Sequence, residues 1–281
     1  MLKSNCFCGI IYLTARKRRE IVREDGIFST LIKRGVSVFE YDTVGSTNTE
    51  ARAYAQNGGI APALFIANEQ TAGRGRLGRS FYSPADTGLY MTLLLDVTGD
   101  VASSVVRITT CAAVATARSI EECTGISVAI KWVNDIYIDG KKICGILAQN
   151  FEANGKRYVM IGVGINLSTG DFPEEIKGIA ASLGVENAPL VARKLANSIG
   201  VNLMDIYERV KNGDILYIEE YKRRSAVIGR AVIYTVGNKQ GSGIAENIDQ
   251  NGALYVRLDN GGLEILNSGE ISLRIKKEDE K

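Results

Sequence analysis

Residues 73–79 read GRGRLGR, and the use made of those glycines and arginines separates the folds open to this chain. Gly73 to Gly78 satisfy G-x-G-x-x-G, the spacing of dinucleotide-binding and kinase phosphate loops. In a dinucleotide site that motif opens a helix, because the pyrophosphate rests on the positive end of the helix dipole. Here the chain continues RSFYSPADTGLYMT, with Pro84 and Gly88 where the first turns of such a helix would run. Proline removes a backbone donor and clashes with the preceding turn, so no helix is expected. That excludes the doubly wound dinucleotide fold.

VAIK at 128–131 looks like the kinase strand that carries an ATP-binding lysine. The chain has no D-F-G, no A-P-E and, with no histidine anywhere, no H-R-D. A G-x-x-x-x-G-K-[ST] phosphate loop is also missing. An RGG-type RNA tether would repeat many times, whereas GRGRLGR occurs once, between the strand-like runs ALFIAN and GLYMTLLLD.

The absence of histidine narrows the chemistry further. It removes Ser-His-Asp and Cys-His catalysis and H-E-x-x-H zinc sites. What remains are lysine, arginine, carboxylates, hydroxyls, backbone dipoles or a metal ion. The 281 residues suit one or two domains, and 45% hydrophobic residues can fill a real core. With 34 basic and 32 acidic residues the net charge is +2, not the strongly basic field of a nucleic-acid binder. Five cysteines without C-x-x-C make neither a disulfide framework nor a zinc knuckle. Cys111 and Cys144 sit in apolar runs as core residues, and a reduced cytoplasmic compartment is expected. No apolar run approaches the roughly 18–20 residues that cross a bilayer.

The chain opens with a short apolar stretch followed by Arg16, Lys17, Arg18 and Arg19, the wrong order for an export signal. Residues 1–36 are read as a loosely ordered extension, or in part as an upstream start. VSVFEYDTVGSTNTEARAYAQNGG reads as strand, turn and helix, with Thr47-x-x-Glu50 as a capping box and Gly58-Gly59 as the stop. A helix is predicted over 103–124, ended by Gly125. The block from SVAIKW to KRYVMIGVGINL is β, with hairpins at Asp139-Gly140 and Asn154-Gly155. Residues 189–225 are helical, and from about Ala226 short strands and glycine turns predict a small appended β-barrel. The predicted class is therefore α+β, with a larger domain over 37–225, a barrel over 226–276 and a charged tail over 277–281.

Three local features point to one site. Ser46, Thr47 and Asn48 open a helix with hydroxyls, an amide and free backbone N–H groups. Gln70, Arg74, Arg76 and Arg79 belong to the loop, and Lys131 ends a strand beside Trp132, Asn134 and Asp135. Gly145, Gly162 and Gly164 weaken their strands unless something must approach the backbone closely. An apolar floor with polar ends suits a ligand with a greasy chain and a charged tip.

Taken in order, GSTN, EQTAGRGRLGR, KWVND, CGIL, GVGIN and GEISLR resemble the biotin–protein ligases, from about Val38 to Ile275. The resemblance implies a catalytic domain akin to class II aminoacyl-tRNA synthetases, with a mixed sheet and helices, followed by an SH3-like barrel. It implies that biotin, ATP and Mg²⁺ give biotinyl-5′-adenylate, whose acyl group passes to a lysine of a biotin carboxyl carrier protein. On it, Ser46, Thr47, Asn48 and Gln70 match the positions at the ureido end of biotin, with Gly145 also facing biotin. Arg74, Gly75 and Arg76 match the loop over the carboxylate and α-phosphate, and Lys131 matches a lysine touching both. Arg79, Phe81, Asn134 and Asn166 fall to the nucleotide with Arg76 and Lys131, and no protein-only metal site is implied.

Two positions depart from the family pattern. Phe81 stands where a tryptophan usually covers the adenine, and Val133 replaces the proline of KWPND. The 36 residues before Ser37 are fewer than the roughly 60 of a winged helix-turn-helix, so the monofunctional type is expected, without DNA binding and with homodimerisation left open. The alternatives are a lipoate or octanoate ligase of the same superfamily, whose loop signature carries a histidine, and a non-enzymatic biotin-responsive DNA regulator.

Overall fold

The structure is a computed structural model that describes residues 18–21, 26–97, 104–267 and 271–275. Its elements in chain order begin with β1 (Arg18–Ile21), α1 (Ser29–Lys33), β2 (Ser37–Val44), α2 (Thr47–Gln56), β3 (Ala63–Gln70) and β4 (Gly88–Asp96). Next come α3 (Val105–Thr124), β5 (Ala129–Lys131), β6 (Asp135–Ile138), β7 (Lys141–Ala153) and β8 (Lys156–Asn166). Then follow α4 (Glu174–Lys177), α5 (Ala188–Lys211) and α6 (Leu216–Arg223). The last strands are β9 (Ala231–Val236), β10 (Lys239–Ile248), β11 (Leu254–Arg257), β12 (Leu263–Leu266) and β13 (Ile271–Ile275).

β1 to β8 form one mixed sheet in the order β1-β2-β3-β4-β8-β7-β6-β5. Only β2 and β3 run parallel; the other neighbours are antiparallel. α2 covers one face over Phe39, Phe65, Leu94 and Met160, while α3 and α5 cover the other. Burial of each large side chain such as Phe39 or Phe65 contributes about 2–3 kcal/mol. Central β4 is buried on both faces, which is why GLYMTLLLD reads as a nearly unbroken apolar run. Thr92 is its one buried polar residue.

The two-residue hairpins form as expected. Asp139, Gly140, Asn154 and Gly155 all take positive φ, the primed-turn geometry that matches strand twist. α3 ends on Gly125 at φ 72°, in the left-handed cap that glycine favours.

Three expectations are corrected. The N-cap of α2 is Ser46 and makes no side-chain capping bond, so the Thr47-x-x-Glu50 capping box does not form. The Thr47 hydroxyl faces half-buried Gln70 and buried Thr92 instead. Part of the expected N-terminal extension belongs to the core: Phe28, Leu31 and Val36 are buried, with Leu31 against Gly200 of α5. The helical run over 189–225 breaks between α5 and α6, where Gly213 takes φ 85° and Asp214 bonds the Leu216 amide. Residues 1–17 and 276–281, where the start-site and charged-tail expectations fall, lie outside the described residues.

β9 to β13 make a second, antiparallel sheet in the order β12-β11-β10-β9-β13. It packs on the first unit through Trp132, whose indole Nε1 donates to the Gly252 carbonyl at 2.9 Å. Gly252 has φ 85°, and a Cβ there would sit 2.9 Å from Thr110 of α3, so the contact admits only glycine without displacement. Among the described residues no helix is long and apolar enough to cross a membrane.

Candidate active site

A cavity of about 480 Å³ opens on the sheet between the N-terminus of α2 and the arginine loop. Ser46, Thr47, Asn48, Gln70, Arg74, Gly75, Arg76, Arg79, Phe81, Lys131, Asn134, Gly145 and Asn166 all line it. Arg274 lines it too, so six sequence segments meet at one place.

One wall is held by hydrogen bonds. The Gln70 Oε1 accepts from the Thr47 amide at 2.9 Å and lies 3.2 Å from its hydroxyl. Gln70 Nε2 donates to Ser83 Oγ at 3.0 Å, and Ser83 donates to the Phe81 carbonyl at 2.9 Å. Behind this wall, Thr92 bonds both Thr47 Oγ1, at 2.8 Å, and Asn48 Oδ1. Ser46, Thr47 and Asn48 are all buried.

The floor is glycine. Gly145 of β7 pairs with Gly164 of β8, and Gly162 lies one side-chain repeat away. The close approach expected over these glycines is made by the protein's own side chains. A Cβ at Gly162 would meet Asn48 Oδ1 at 2.6 Å, and one at Gly164 would meet the Phe81 ring at 2.6 Å. Over Gly145 the nearest atom is Lys142 Nζ, 3.2 Å from a built Cβ.

The loop closes as a small hairpin rather than a helix start. Phe81 N donates to Gly73 O at 3.0 Å, and Gly75 N donates to Arg79 O at 2.7 Å. Between them Arg76–Gly78 make a single 3₁₀ turn in which Leu77 takes φ 56° and ψ 35°. A leucine in the left-handed region is disfavoured by its Cβ. Its side chain is more than half exposed. Arg76 donates to Asn134 Oδ1, and Asn134 Nδ2 donates to the Ile146 carbonyl at 3.0 Å.

Positive charge dominates the lining. Among the described residues, Arg74, Arg76, Arg79, Lys131, Lys142 and Arg274 face a single carboxylate, Asp135. Lys142 Nζ lies 2.6 Å from Asp135 Oδ1. Lys131 Nζ lies 3.3 Å from the Tyr137 hydroxyl. Burial lowers the Lys131 pKa below its ordinary value, Asp135 opposes the shift, and nearby Lys142 adds to it. Burial lowers that of Arg76 in the same way. The Tyr137 phenol is pushed up to about 12 by burial and by Asp135, so it stays protonated at neutral pH. Asn166 donates to the Ala181 carbonyl at 3.0 Å, tying β8 to the segment that brings Phe172, Ile176 and Ile179 to the cavity.

Sequence reasoning missed Lys142 and Thr92. Lys142 sits in a Lys-Lys pair at a strand start, which reads as a solvated end. Its position three residues before Gly145 was the available signal. Thr92 was hidden in an apolar strand, where a lone threonine reads as ordinary packing.

Residues 42–166 match the Biotin/lipoate A/B protein ligase family, and residues 227–274 match the biotin protein ligase C-terminal domain. Together the two matches cover more than half of the chain. The chain is 41% identical over 154 residues to the bifunctional ligase/repressor BirA of Bacillus subtilis, covering 53% of this chain and 46% of that protein. It thus spans about half the length of that relative. With the biotin–[acetyl-CoA-carboxylase] ligase of Mycobacterium tuberculosis it shares 29% identity over 268 residues, 90% of this chain and 96% of the other. The biotin protein ligase of Aquifex aeolicus in complex with biotin and ATP superposes with a TM-score of 0.72 at 26% identity, over 85% of this chain and 99% of that one. This chain belongs to the biotin protein ligases within the biotin/lipoate A/B protein ligase family.

Proposed function

We propose that the chain joins biotin to a carrier protein in two steps. A biotin carboxylate oxygen attacks the α-phosphorus of ATP, the α–β phosphoanhydride bond breaks, and pyrophosphate leaves. The amine of a carrier lysine then attacks the acyl carbon of biotinyl-5′-AMP, the acyl–phosphate bond breaks, and AMP departs as the nitrogen loses a proton. The carrier is the biotin carboxyl carrier protein of a biotin-dependent carboxylase. The larger unit corresponds to a class II aminoacyl-tRNA synthetase-like domain and the smaller to an SH3-like barrel.

The first step brings an anion against an anion. Two unit charges about 4 Å apart repel by roughly 4 kcal/mol at an effective dielectric near 20. Fixed cations in a desolvated cavity offset that repulsion without reorganising. Arg76, braced by Asn134, presents a fork to phosphate oxygens, and Arg74 and Arg79 extend it. Lys131 and Lys142 divide the point-charge role: Lys142 stands over the glycine floor, and Lys131 sits on the Tyr137 side. Ser46, Thr47, Asn48 and Gln70 take the ureido ring, with Gly145 below its chain. Phe81 and Asn166 take the nucleotide. The attacking group is already an oxyanion, so no imidazole base is needed.

Magnesium fits this scheme as the nucleotide's companion. Asp135 is the only carboxylate of the lining among the described residues, and its partner is Lys142. Among the described residues no group of three or more histidine, cysteine or acidic side chains could cage an ion. Bound with ATP, magnesium would supply further neutralisation of the phosphates.

The reading rests on one observation: a single cavity combines a hydrogen-bonding polar wall, a glycine floor and a cationic rim within a family matched in both its domains. ATP–pyrophosphate exchange with purified protein tests it. Biotin is expected to support exchange and lipoate or octanoate to fail; the reverse preference would overturn the assignment.

A further inference from the structure

The wall that meets the ureido ring carries a problem of hydrogen counting. Thr92 is completely buried and has one hydroxyl hydrogen, yet it lies within bonding distance of Thr47 Oγ1 and Asn48 Oδ1. An amide oxygen can only accept, so the Thr92 hydrogen is committed to Asn48. The 2.8 Å contact to Thr47 is then a bond only if the Thr47 hydroxyl donates. Gln70 Oε1 still receives the Thr47 backbone amide at 2.9 Å. The relay runs in one direction, from the Thr47 O–H to the Thr92 O–H to the Asn48 carbonyl.

A second feature seats the same amide. Gly162 lies beside Thr92 in the sheet register, and a Cβ there would come within 2.6 Å of Asn48 Oδ1. The bare backbone lets Asn48 lie flat on β8 while Thr92 holds its oxygen. With that oxygen engaged, what Asn48 offers the cavity is its pair of Nδ2–H donors.

We propose that Thr92 is a positioning residue that sets the polarity of this wall, turning the Asn48 amide so that it donates to the carbonyl oxygen of a cyclic urea. Resting on the ligase reading, the inference adds a specificity element that never touches the ligand. A ligand whose head lacks a carbonyl acceptor, such as lipoate or octanoate, gains nothing from this arrangement. Removing the Thr92 hydroxyl strands the Asn48 oxygen or lets the amide turn over, placing oxygen against oxygen.

Direct calorimetric titration with biotin, alongside pyrophosphate exchange, tests this. Thr92→Val keeps the shape and removes the hydroxyl; its biotin Kd is expected to rise at least about tenfold. Its kcat at saturating biotin and its KM for ATP should stay within about twofold of wild type. Thr92→Ser should restore biotin affinity. Should Thr92→Val fold poorly, Gly162→Ala keeps the hydroxyl and displaces Asn48, and is expected to raise the biotin Kd similarly. A Thr92→Val protein that binds biotin as wild type does, or a Thr92→Ser protein as weak as Thr92→Val, overturns the proposal. A wild type that binds biotin without exchange would sink the ligase reading while leaving this test readable.

Discussion

Two walls of the same cavity are built in opposite ways. In one, Ser46, Thr47 and Asn48 are buried beside half-buried Gln70, and Thr47, Asn48 and Gln70 join Thr92 and Ser83 in a continuous chain of hydrogen bonds. The GRGRLGR loop is held by a few backbone bonds and the Arg76–Asn134 contact, presents exposed charge, and turns on a left-handed leucine. On the proposed reading, the first wall would face a neutral ring whose shape does not change during reaction, and the second would face charge that moves from a carboxylate to pyrophosphate. Rigidity belongs where recognition is fixed, and glycine-hinged adaptability where charge migrates and water must be shut out.

The largest expected effects break the cationic side. Lys142→Ala and Lys131→Ala should each lower the rate of pyrophosphate exchange by about 10²–10³-fold, with melting temperature little changed. Near-normal exchange in either variant would remove that lysine from the chemistry. Arg76→Gly comes next. It loses the Asn134 brace and should release biotinyl-5′-AMP, read as increased labelling of bystander lysines. No increase in leakage would deny the loop a retaining role.

The pH dependence sharpens the contrast. Folding lowers the Lys131 pKa below its ordinary 10.5 because burial penalises the charged amine. Between the lowered and the ordinary value the unfolded chain binds more protons, so stability at this group rises with pH. Activity that needs the ammonium falls over the same window. Lys131→Arg should carry activity to higher alkaline pH, and a rate profile unchanged by this substitution would argue that Lys131 works without its charge. The smallest effect concerns the loop itself. Leu77→Gly relieves the left-handed strain but adds glycine's entropy cost, so stability should change by less than about 1 kcal/mol. A loss beyond 2 kcal/mol in denaturant titration would mean that the leucine packs against the body.

What the sequence disclosed was local. The Asp139-Gly140 and Asn154-Gly155 turns were legible because their geometry depends on two residues. The interruption after Gly78 was legible because Pro84 forbids a helix whatever surrounds it. The resemblance gathered the site residues, but not their partners. Thr47 was misread as half of a capping box because its true partner, Thr92, lies on a strand distant in sequence. Asn134 was expected at the nucleotide, and nothing local announced that Arg76 would claim its oxygen. The glycines of β7 and β8 correctly signalled close approach, yet only the sheet order placed Asn48 and Phe81 over them.

The indole of Trp132 spends its only donor on Gly252, so the strand bearing Lys131 is fastened to the C-terminal sheet. Arg274, from the last strand of that sheet, also reaches the cavity. A truncation near Ala226 would therefore uncover Thr110 and Val106, orphan an indole N–H and delete a cation in one cut. Anyone seeking a minimal catalyst should trim elsewhere: the two units cannot be treated as separable modules.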